Sequence, residues 1–184
     1  PKGFLKWIRE QGWWGEKRIY LCAGGVIDDA ADKVDIQPSL DLEKLDERRG
    51  KHPTIRRSRT IDTTANILAD ARETGLPDES YDWVMIDPPY TEEYAKNMYG
   101  TENVYSGINK FLDEGIRLCK PGGYILTFTY AIPRYAPGAD IVACWGIYQI
   151  PAVRYMTALF VYRKEGERRA QFLEKWGITP QSGE

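Results

Sequence analysis

The sequence is poor in the residues that metal centres, disulfide frameworks and membrane spans require. Its 184 residues include one histidine and three widely separated cysteines, namely Cys22, Cys119 and Cys144. That pattern fits neither a disulfide framework nor a metal site, so we expect no metal and a reducing, cytoplasmic location. No apolar run approaches the roughly 18–20 residues of a membrane span. The start at Pro1 has no signal-peptide pattern, and the missing Met is expected of a trimmed chain.

An excess of positive charge is also absent, because 27 Asp and Glu residues against 25 Lys and Arg give a net charge of −2. A strong nonspecific nucleic-acid binder is therefore not expected. The exception is a basic run between Arg48 and Arg59, for which a solvated loop and a phosphate-contacting patch are equally good interpretations. His52 lies in this run and is expected to be a surface residue.

Hydrophobic periodicity predicts strands that alternate with helices. Such alternation is typical of a parallel sheet covered by helices on both faces, with ligands beyond the carboxyl ends of the strands. The last two strands leave no room for a helix between them and should pair antiparallel. The predicted elements are helices over 4–9, around 40–49 and over 108–118, a turn over 120–123, and strands over 18–22, 59–62, 67–70, 81–86, 124–130, 141–150 and 155–162.

The most informative motif is Asp87-Pro88-Pro89-Tyr90, directly after the apolar strand over 81–86. It combines a carboxylate, two residues without a backbone N–H, and an aromatic ring. This set of groups at a strand end suits the binding of a flat group that bears an amine, such as a nucleobase.

Three segments, in this order, resemble class I S-adenosylmethionine-dependent methyltransferases of the amino-methylating group. They are Leu21-Cys22-Ala23-Gly24-Gly25, the tetrapeptide, and residues 114–123, which end in Lys-Pro-Gly-Gly. The resemblance implies an α/β fold with a Rossmann-like, seven-stranded, mostly parallel sheet and an antiparallel C-terminal strand pair. It also implies a catalytic domain over 1–163, in which 28–58 could be an insertion or a mobile loop. A charged tail over 164–184 would follow, without a separate target-recognition domain.

The resemblance further implies that S-adenosylmethionine binds at the turn formed by Cys22, Ala23, Gly24 and Gly25. The two glycines permit a close backbone approach and positive φ angles. An acid after the second strand should bind the ribose hydroxyls, and Asp70 matches the position that commonly holds the adenine amino group. Asp62 is our choice for the ribose. Asp35 is the alternative. It is second because only nine residues separate it from Gly25, which are too few for the crossover helix that a parallel pair of strands needs.

The tetrapeptide supplies the groups that methylation of an exocyclic amine needs. The amine is a poor nucleophile because its lone pair is delocalised into the ring. The Asp87 carboxylate and the Pro88 carbonyl could accept hydrogen bonds from its two N–H groups. Pro88 and Pro89 fix the backbone conformation. Tyr90 could stack on the base, an interaction worth about 1–3 kcal/mol. A base in a duplex would have to be flipped out, with Tyr94, Tyr99 and Tyr105 either clamping it or packing on the sheet.

The sequence therefore predicts a methyltransferase for the exocyclic amine of a nucleobase, with adenine in DNA as the first choice. Two alternatives stay open. One is a base in RNA, or a protein or small-molecule amide. The other is an inactive methyltransferase fold that binds nucleic acid or serves as a scaffold, because Tyr20 stands where the family carries an acid. The expected partners are nucleic acid, DNA before RNA, together with a partner subunit or a second copy, and no membrane.

Overall fold

The computed structural model describes residues 3–24, 26, 28–37, 39–41, 60–62, 64–99, 107–130, 132–133, 136–147 and 156–166. The helices are α1 (Phe4–Glu10), α2 (Glu92–Tyr99) and α3 (Ile108–Leu118). The strands are β1 (Arg18–Leu21), β2 (Asp32–Asp35), β3 (Ser39–Asp41), β4 (Thr60–Asp62), β5 (Ile67–Leu68), β6 (Tyr81–Ile86), β7 (Cys119–Thr129), β8 (Ala139–Ile147) and β9 (Thr157–Lys164). No helix in the described ranges is both long and apolar enough to cross a membrane.

Seven of these strands form one sheet in the order β5-β2-β1-β6-β7-β9-β8, and β3 and β4 form a separate two-stranded sheet. The pairs among β5, β2, β1, β6 and β7 are parallel. Strand β9 runs antiparallel to both of its neighbours, β7 and β8. The predicted mostly parallel sheet with an antiparallel C-terminal pair is therefore confirmed.

The second strand of the main sheet is not the one expected. Strand β2 pairs in parallel with β1, with Val34 opposite Leu21. The described part of the connection over 22–31 contains no helix. Ten extended residues reach at most about 33 Å, well beyond the roughly 13 Å of a four-residue strand, so a loop suffices as the crossover. Nine residues between Gly25 and Asp35 are therefore enough, and the expectation that they are too few was wrong.

The acid chosen for the ribose, Asp62, lies in another part of the fold. It ends β4, which pairs antiparallel with β3 so that Asp62 is opposite Ser39. The position at the end of the second main-sheet strand belongs to Asp35. The helix predicted around 40–49 is also corrected at its start, because 39–41 is strand and 42–49 lies outside the described residues. The range 28–58 contains β2, a strand of the main sheet.

A helix covers each face of the sheet, as predicted. Alternate residues of a strand point to opposite faces. Trp83 and Met85 of β6 therefore pack in the cluster that includes Ile8 of α1. Val84 and Ile86 belong to the other cluster, with Leu112 of α3.

Helix α3 approaches β6 closely because Gly115 has no side chain. A Cβ atom at this position would lie 2.7 Å from Cδ1 of Ile86 and 3.3 Å from Cγ2 of Ile125. Both distances are shorter than an ordinary van der Waals contact, so any other residue would force a shift. The strand residue involved, Ile86, directly precedes the tetrapeptide.

The turn predicted over 120–123 lies within β7, which begins at Cys119 immediately after α3 ends. The strand is irregular there. Tyr81 pairs with Cys119 and Trp83 with Tyr124, so β7 accommodates extra residues against β6. Gly122 has a φ of 78°, which a glycine adopts at little cost. The Pro-Gly-Gly sequence produces a bulged strand instead of a separate turn.

Candidate active site at the carboxyl ends of the strands

Several chemistry-bearing residues follow neighbouring strands at one edge of the main sheet. Because β1, β2, β6 and β7 run parallel, their carboxyl ends meet there. The backbone N–H of Asp87 donates to the carbonyl of Leu21 at 3.3 Å. This contact brings the start of the tetrapeptide directly beside the turn over 22–24, as the order of elements predicted.

Hydrogen bonds with two other segments of the chain hold the turn after β1 in place. Cys22 and Gly24 have φ angles of 62° and 50°, so the chain turns through the left-handed region. The backbone N–H of Gly24 donates to Oδ2 of Asp35 at 3.0 Å. The backbone N–H of Thr64 donates to the carbonyl of Gly24 at 3.0 Å. A Cβ atom on Gly24 would meet no atom within 4 Å, so the turn borders open space.

Three carboxylates at this edge of the sheet affect the pKa of one thiol, that of Cys22. Burial raises the pKa of Cys22 well above its usual value, and the charges of Asp35, Asp87 and Asp70 raise it further. Asp35 is the last residue of β2, whereas Asp87 and Asp70 follow β6 and β5, so three strand ends contribute negative charge to one place. Cys22 is accordingly a neutral thiol.

Asp70 is at the predicted edge but already has a cationic partner. Both of its carboxylate oxygens accept hydrogen bonds from the guanidinium of Arg72. The Arg72 backbone N–H also donates to Oδ1 at 2.9 Å. The hydrogen bonds from Arg72 hold the pKa of Asp70 below its usual value. An adenine amine at Asp70 would therefore have to share the carboxylate with Arg72.

Tyr20, the departure from the family pattern, is a packing residue with an acid beside it. Its ring meets Trp83 edge-on, with centroids 5.2 Å apart. Its hydroxyl donates to Oδ2 of Asp28 at 3.1 Å. Arg18 donates to both oxygens of Asp28, each at 3.1 Å. No sequence pattern indicated Asp28, because it lies in the irregular connection between β1 and β2.

Asp87 has an unusual carboxylate. Its side chain keeps an exposed surface. Nevertheless, the surrounding protein atoms displace enough water to raise the pKa of Asp87 to about 6. The Tyr90 hydroxyl donates to Oδ1 at 3.3 Å and opposes that rise. The carboxylate can thus change its protonation state near neutral pH.

Tyr90 lies in an aromatic stack that sequence patterns did not indicate. Its ring stacks on Tyr130 with centroids 4.0 Å apart and an angle of 27° between the planes. A side-chain hydrogen bond also links Tyr90 to Thr157, the first residue of β9. Tyr130 follows β7 and is 50% exposed. In the sequence it was only the last residue of a predicted strand.

The remaining predicted site residues cannot be placed relative to the carboxylates. Tyr94 and Tyr99 belong to α2, but their side chains lie outside the described residues, as do Gly25 and Tyr105. Asp62 is described only in its backbone. The roles proposed for these residues stay predictions.

No protein-family model matches the sequence, and no curated protein matches it. Solved structures do. The chain is similar to an S-adenosylmethionine-dependent methyltransferase from Leishmania major, with 14% identity, a TM-score of 0.49, and coverage of 88% of this chain and 70% of that one. It is also similar to yhhF, a candidate methyltransferase from Escherichia coli, with 9% identity, a TM-score of 0.50, and coverage of 90% and 85%.

A third similar structure is the protein PH0851, with 15% identity and a TM-score of 0.51 over 82% of this chain. The chain spans 43% of the length of that protein. At such identities the likeness concerns the fold alone. Together with the strand order, it shows that the chain has the methyltransferase fold.

Proposed function

We propose that this protein is an S-adenosylmethionine-dependent methyltransferase that modifies the exocyclic amine of a nucleobase, with adenine in DNA as the first choice. The observation that supports the proposal is the hydrogen bond from the Asp87 N–H to the carbonyl of Leu21, the residue directly before the turn over 22–24. The methyltransferase fold supports the choice of donor, because its ligands bind at this edge.

The residues at the turn fit S-adenosylmethionine, which supplies an electrophilic methyl group when bound. Gly24 borders open space, so a ligand can approach its backbone closely. Asp35 accepts hydrogen bonds from the backbone N–H groups of Gly24 and Gln37. A carboxylate has about four acceptor sites, so capacity for ribose hydroxyls is left. We therefore now favour Asp35 over Asp62 for the ribose, with Cys22 and Ala23 lining the same turn.

Asp87 and Tyr90 fit the acceptor. The Asp87 carboxylate and the Pro88 carbonyl each accept a hydrogen bond from one N–H group of the amine. These two hydrogen bonds direct the nitrogen lone pair towards the turn. S-adenosylmethionine held at the turn would supply the methyl group that the nitrogen takes up, with the neutral thioether as the product that leaves. The methylated nitrogen carries a positive charge until it loses a proton. Asp87, whose pKa is about 6, can accept that proton because an aryl ammonium is a stronger acid.

The residues that recognise a target sequence in the nucleic acid would have to lie outside the site described above. Beyond the main sheet, its helices and the small β3–β4 sheet, the described residues contain no additional folded unit. A partner subunit or a second copy of the chain would supply target recognition, unless specificity is loose. We retain the prediction of a cytoplasmic location on the basis of the three free cysteines.

The test is the transfer of a tritiated methyl group to separate pools of DNA, RNA and protein. We expect label on DNA, recovered as an amino-methylated base. Asp87→Ala should abolish transfer while calorimetry shows donor affinity within a few-fold of the wild type. Asp29→Ala, which removes an exposed turn carboxylate, is the control and should behave as wild type.

The outcomes separate the alternatives. Label on RNA alone would overturn DNA as the substrate, and label on protein alone would overturn the nucleobase. Failure to bind the donor would favour a non-enzymatic scaffold. Full activity of Asp87→Ala would contradict the mechanism.

A further inference from the structure

One threonine outside the turn after β1 contacts that turn with two different hydrogen-bond donors. Thr64 is the second residue after β4 and is half-buried. Its backbone N–H donates to the carbonyl of Gly24 at 3.0 Å. Its hydroxyl donates to the carbonyl of Val26 at 2.6 Å. A single residue from a distant part of the chain thus holds two carbonyls of the same turn.

The turn depends on such contacts because its backbone is strained. Cys22 is not a glycine, yet its φ of 62° lies in the left-handed region, which costs free energy for a residue with a Cβ atom. Within the turn, the N–H of Val26 donates to the carbonyl of Ala23 at 3.1 Å. One hydrogen bond of this kind contributes little net free energy compared with the strain. Contacts from other segments therefore decide how fully the turn is formed.

The segment that carries Thr64 is itself fixed to β2. Oδ1 of Asn66 accepts the N–H of Lys33 at 2.7 Å, and the N–H of Asn66 donates to the carbonyl of Lys33 at 3.1 Å. The amide nitrogen of the Asn66 side chain donates to Oδ1 of Asp32 at 3.2 Å. A turn held by Thr64 is therefore held by β2, the strand that also supplies Asp35.

We infer that Thr64 is a positioning residue for the methyl donor, which keeps the turn after β1 in the shape that binds S-adenosylmethionine. The inference rests on the proposed function and adds to it a residue that lies outside the turn and outside the group of carboxylates. Gly24 borders open space, where a ligand can approach its backbone, and Thr64 fixes that backbone through the Gly24 carbonyl.

The size of the effect follows from the fraction of the protein in which the turn is formed. A ligand that binds only the formed turn has an apparent Kd equal to its intrinsic Kd divided by that fraction. Loss of the hydroxyl hydrogen bond should lower the ratio of formed to unformed turn by about five- to tenfold. Because the strain at Cys22 already opposes the formed turn, we expect the apparent Kd of the donor to rise about three- to tenfold.

The test is calorimetry of S-adenosylmethionine and of its demethylated product with wild type, Thr64→Val and Thr64→Ser. Val has the shape of Thr without the hydroxyl, whereas Ser retains the hydroxyl and the backbone N–H. Thr64→Val should raise the Kd of both ligands by about three- to tenfold, because both meet the same turn. Thr64→Ser should stay within about twofold of wild type. Thr64→Ala, which adds no bulk, replaces the Val variant if that protein does not fold.

The matched control is Thr74→Val. The hydroxyl of Thr74 donates to Oε1 of Glu114 at 2.5 Å, so this variant also loses a hydroxyl hydrogen bond, but one that does not involve the turn. It should lower the free energy of unfolding in urea, as Thr64→Val does, and leave donor affinity unchanged.

Steady-state kinetics gives a second readout, which a general loss of stability would not produce. Saturating donor draws the protein into the formed turn. Thr64→Val should therefore raise the KM for the donor, while kcat at saturating donor and the KM for DNA stay within about twofold of wild type.

The outcomes separate this inference from the proposed function. A wild type that binds the donor, with an unchanged Kd in the variant that lacks the Thr64 hydroxyl, would overturn the role of Thr64 and leave the proposed function intact. An equal rise of Kd in Thr74→Val would also overturn that role, because loosening of the whole fold would explain both results. A wild type that binds neither ligand would overturn the donor site and this inference together. Donor binding that Thr64→Val weakens, without methylation of any nucleobase, would overturn the proposed acceptor alone.

Discussion

The protonation of Asp87 should control the pH dependence of methyl transfer. The surrounding protein atoms displace water from this carboxylate and raise the pKa of Asp87 to about 6. Only the ionised carboxylate can take up the proton that the methylated nitrogen loses. With a pKa of about 6, roughly a tenth of the protein carries the carboxylate at about pH 5 and roughly nine tenths at about pH 7. We therefore expect kcat/KM to rise about tenfold between these values and then to level off.

The assay is initial-rate transfer of tritiated methyl to a saturable DNA substrate across that range. Tyr90→Phe removes the hydrogen bond that lowers the pKa of Asp87, so the midpoint should move to higher pH in this variant. In Ile132→Ala, which leaves both groups in place, the midpoint should not move. A flat profile between about pH 5 and pH 7, or an unchanged midpoint in Tyr90→Phe, would refute the reasoning.

The same shift has a consequence for folding. The pKa of Asp87 is about 6 in the folded chain and 3.8 in its ordinary state, so between these values the folded state binds more protons than the unfolded state. Stability should therefore fall as pH rises through this window. Urea denaturation at a series of pH values should show the decline in wild type and a smaller one in Asp87→Asn. Identical curves for the two proteins would contradict the raised pKa.

Two other predictions concern named carboxylates. The side chains of Arg18 and Asp28 are only 8% and 12% exposed. Asp28→Ala should therefore leave a buried guanidinium without its carboxylate partner and lower the free energy of unfolding in urea by about 3 kcal/mol. Asp82→Ala breaks an ion pair whose two side chains are 43% and 35% exposed, and it should lower the free energy of unfolding by at most about 1 kcal/mol. Equal losses in the two variants would contradict the role of burial. Asp35→Ala should weaken donor binding by about tenfold or more in calorimetry, whereas Asp62→Ala should not, and the reverse result would restore the original choice.

Much of this fold is visible in local sequence patterns. The apolar run over 81–86, followed by Asp-Pro-Pro-Tyr, predicted a strand that ends in a binding group, and the structure has β6 ending at Ile86. The periodicity over 108–118 predicted α3 with its observed limits. Both signals depend on residues close together in the chain, so no tertiary contact was needed to recognise them.

Other features depend on contacts that a sequence pattern does not carry. The place of Asp35 beside the first turn follows from a crossover loop without a helix in its described part, which the usual length rule excluded. The hydrogen bond from Tyr20 to Asp28 and the stack of Tyr90 on Tyr130 join separate segments. Sequence reasoning therefore located the tetrapeptide correctly and missed the residues that support it.

The absent side chain at Gly115 leaves room for Ile86, the residue that directly precedes the tetrapeptide. The next atom that any substitution would introduce points at Ile86, and the residue after Ile86 is Asp87. A displacement of about 1 Å at a reacting group can reduce a rate by about a hundredfold. A larger residue at position 115 would have to displace the side chain of Ile86, so the packing of α3 on β6 also decides how the residue before Asp87 is held.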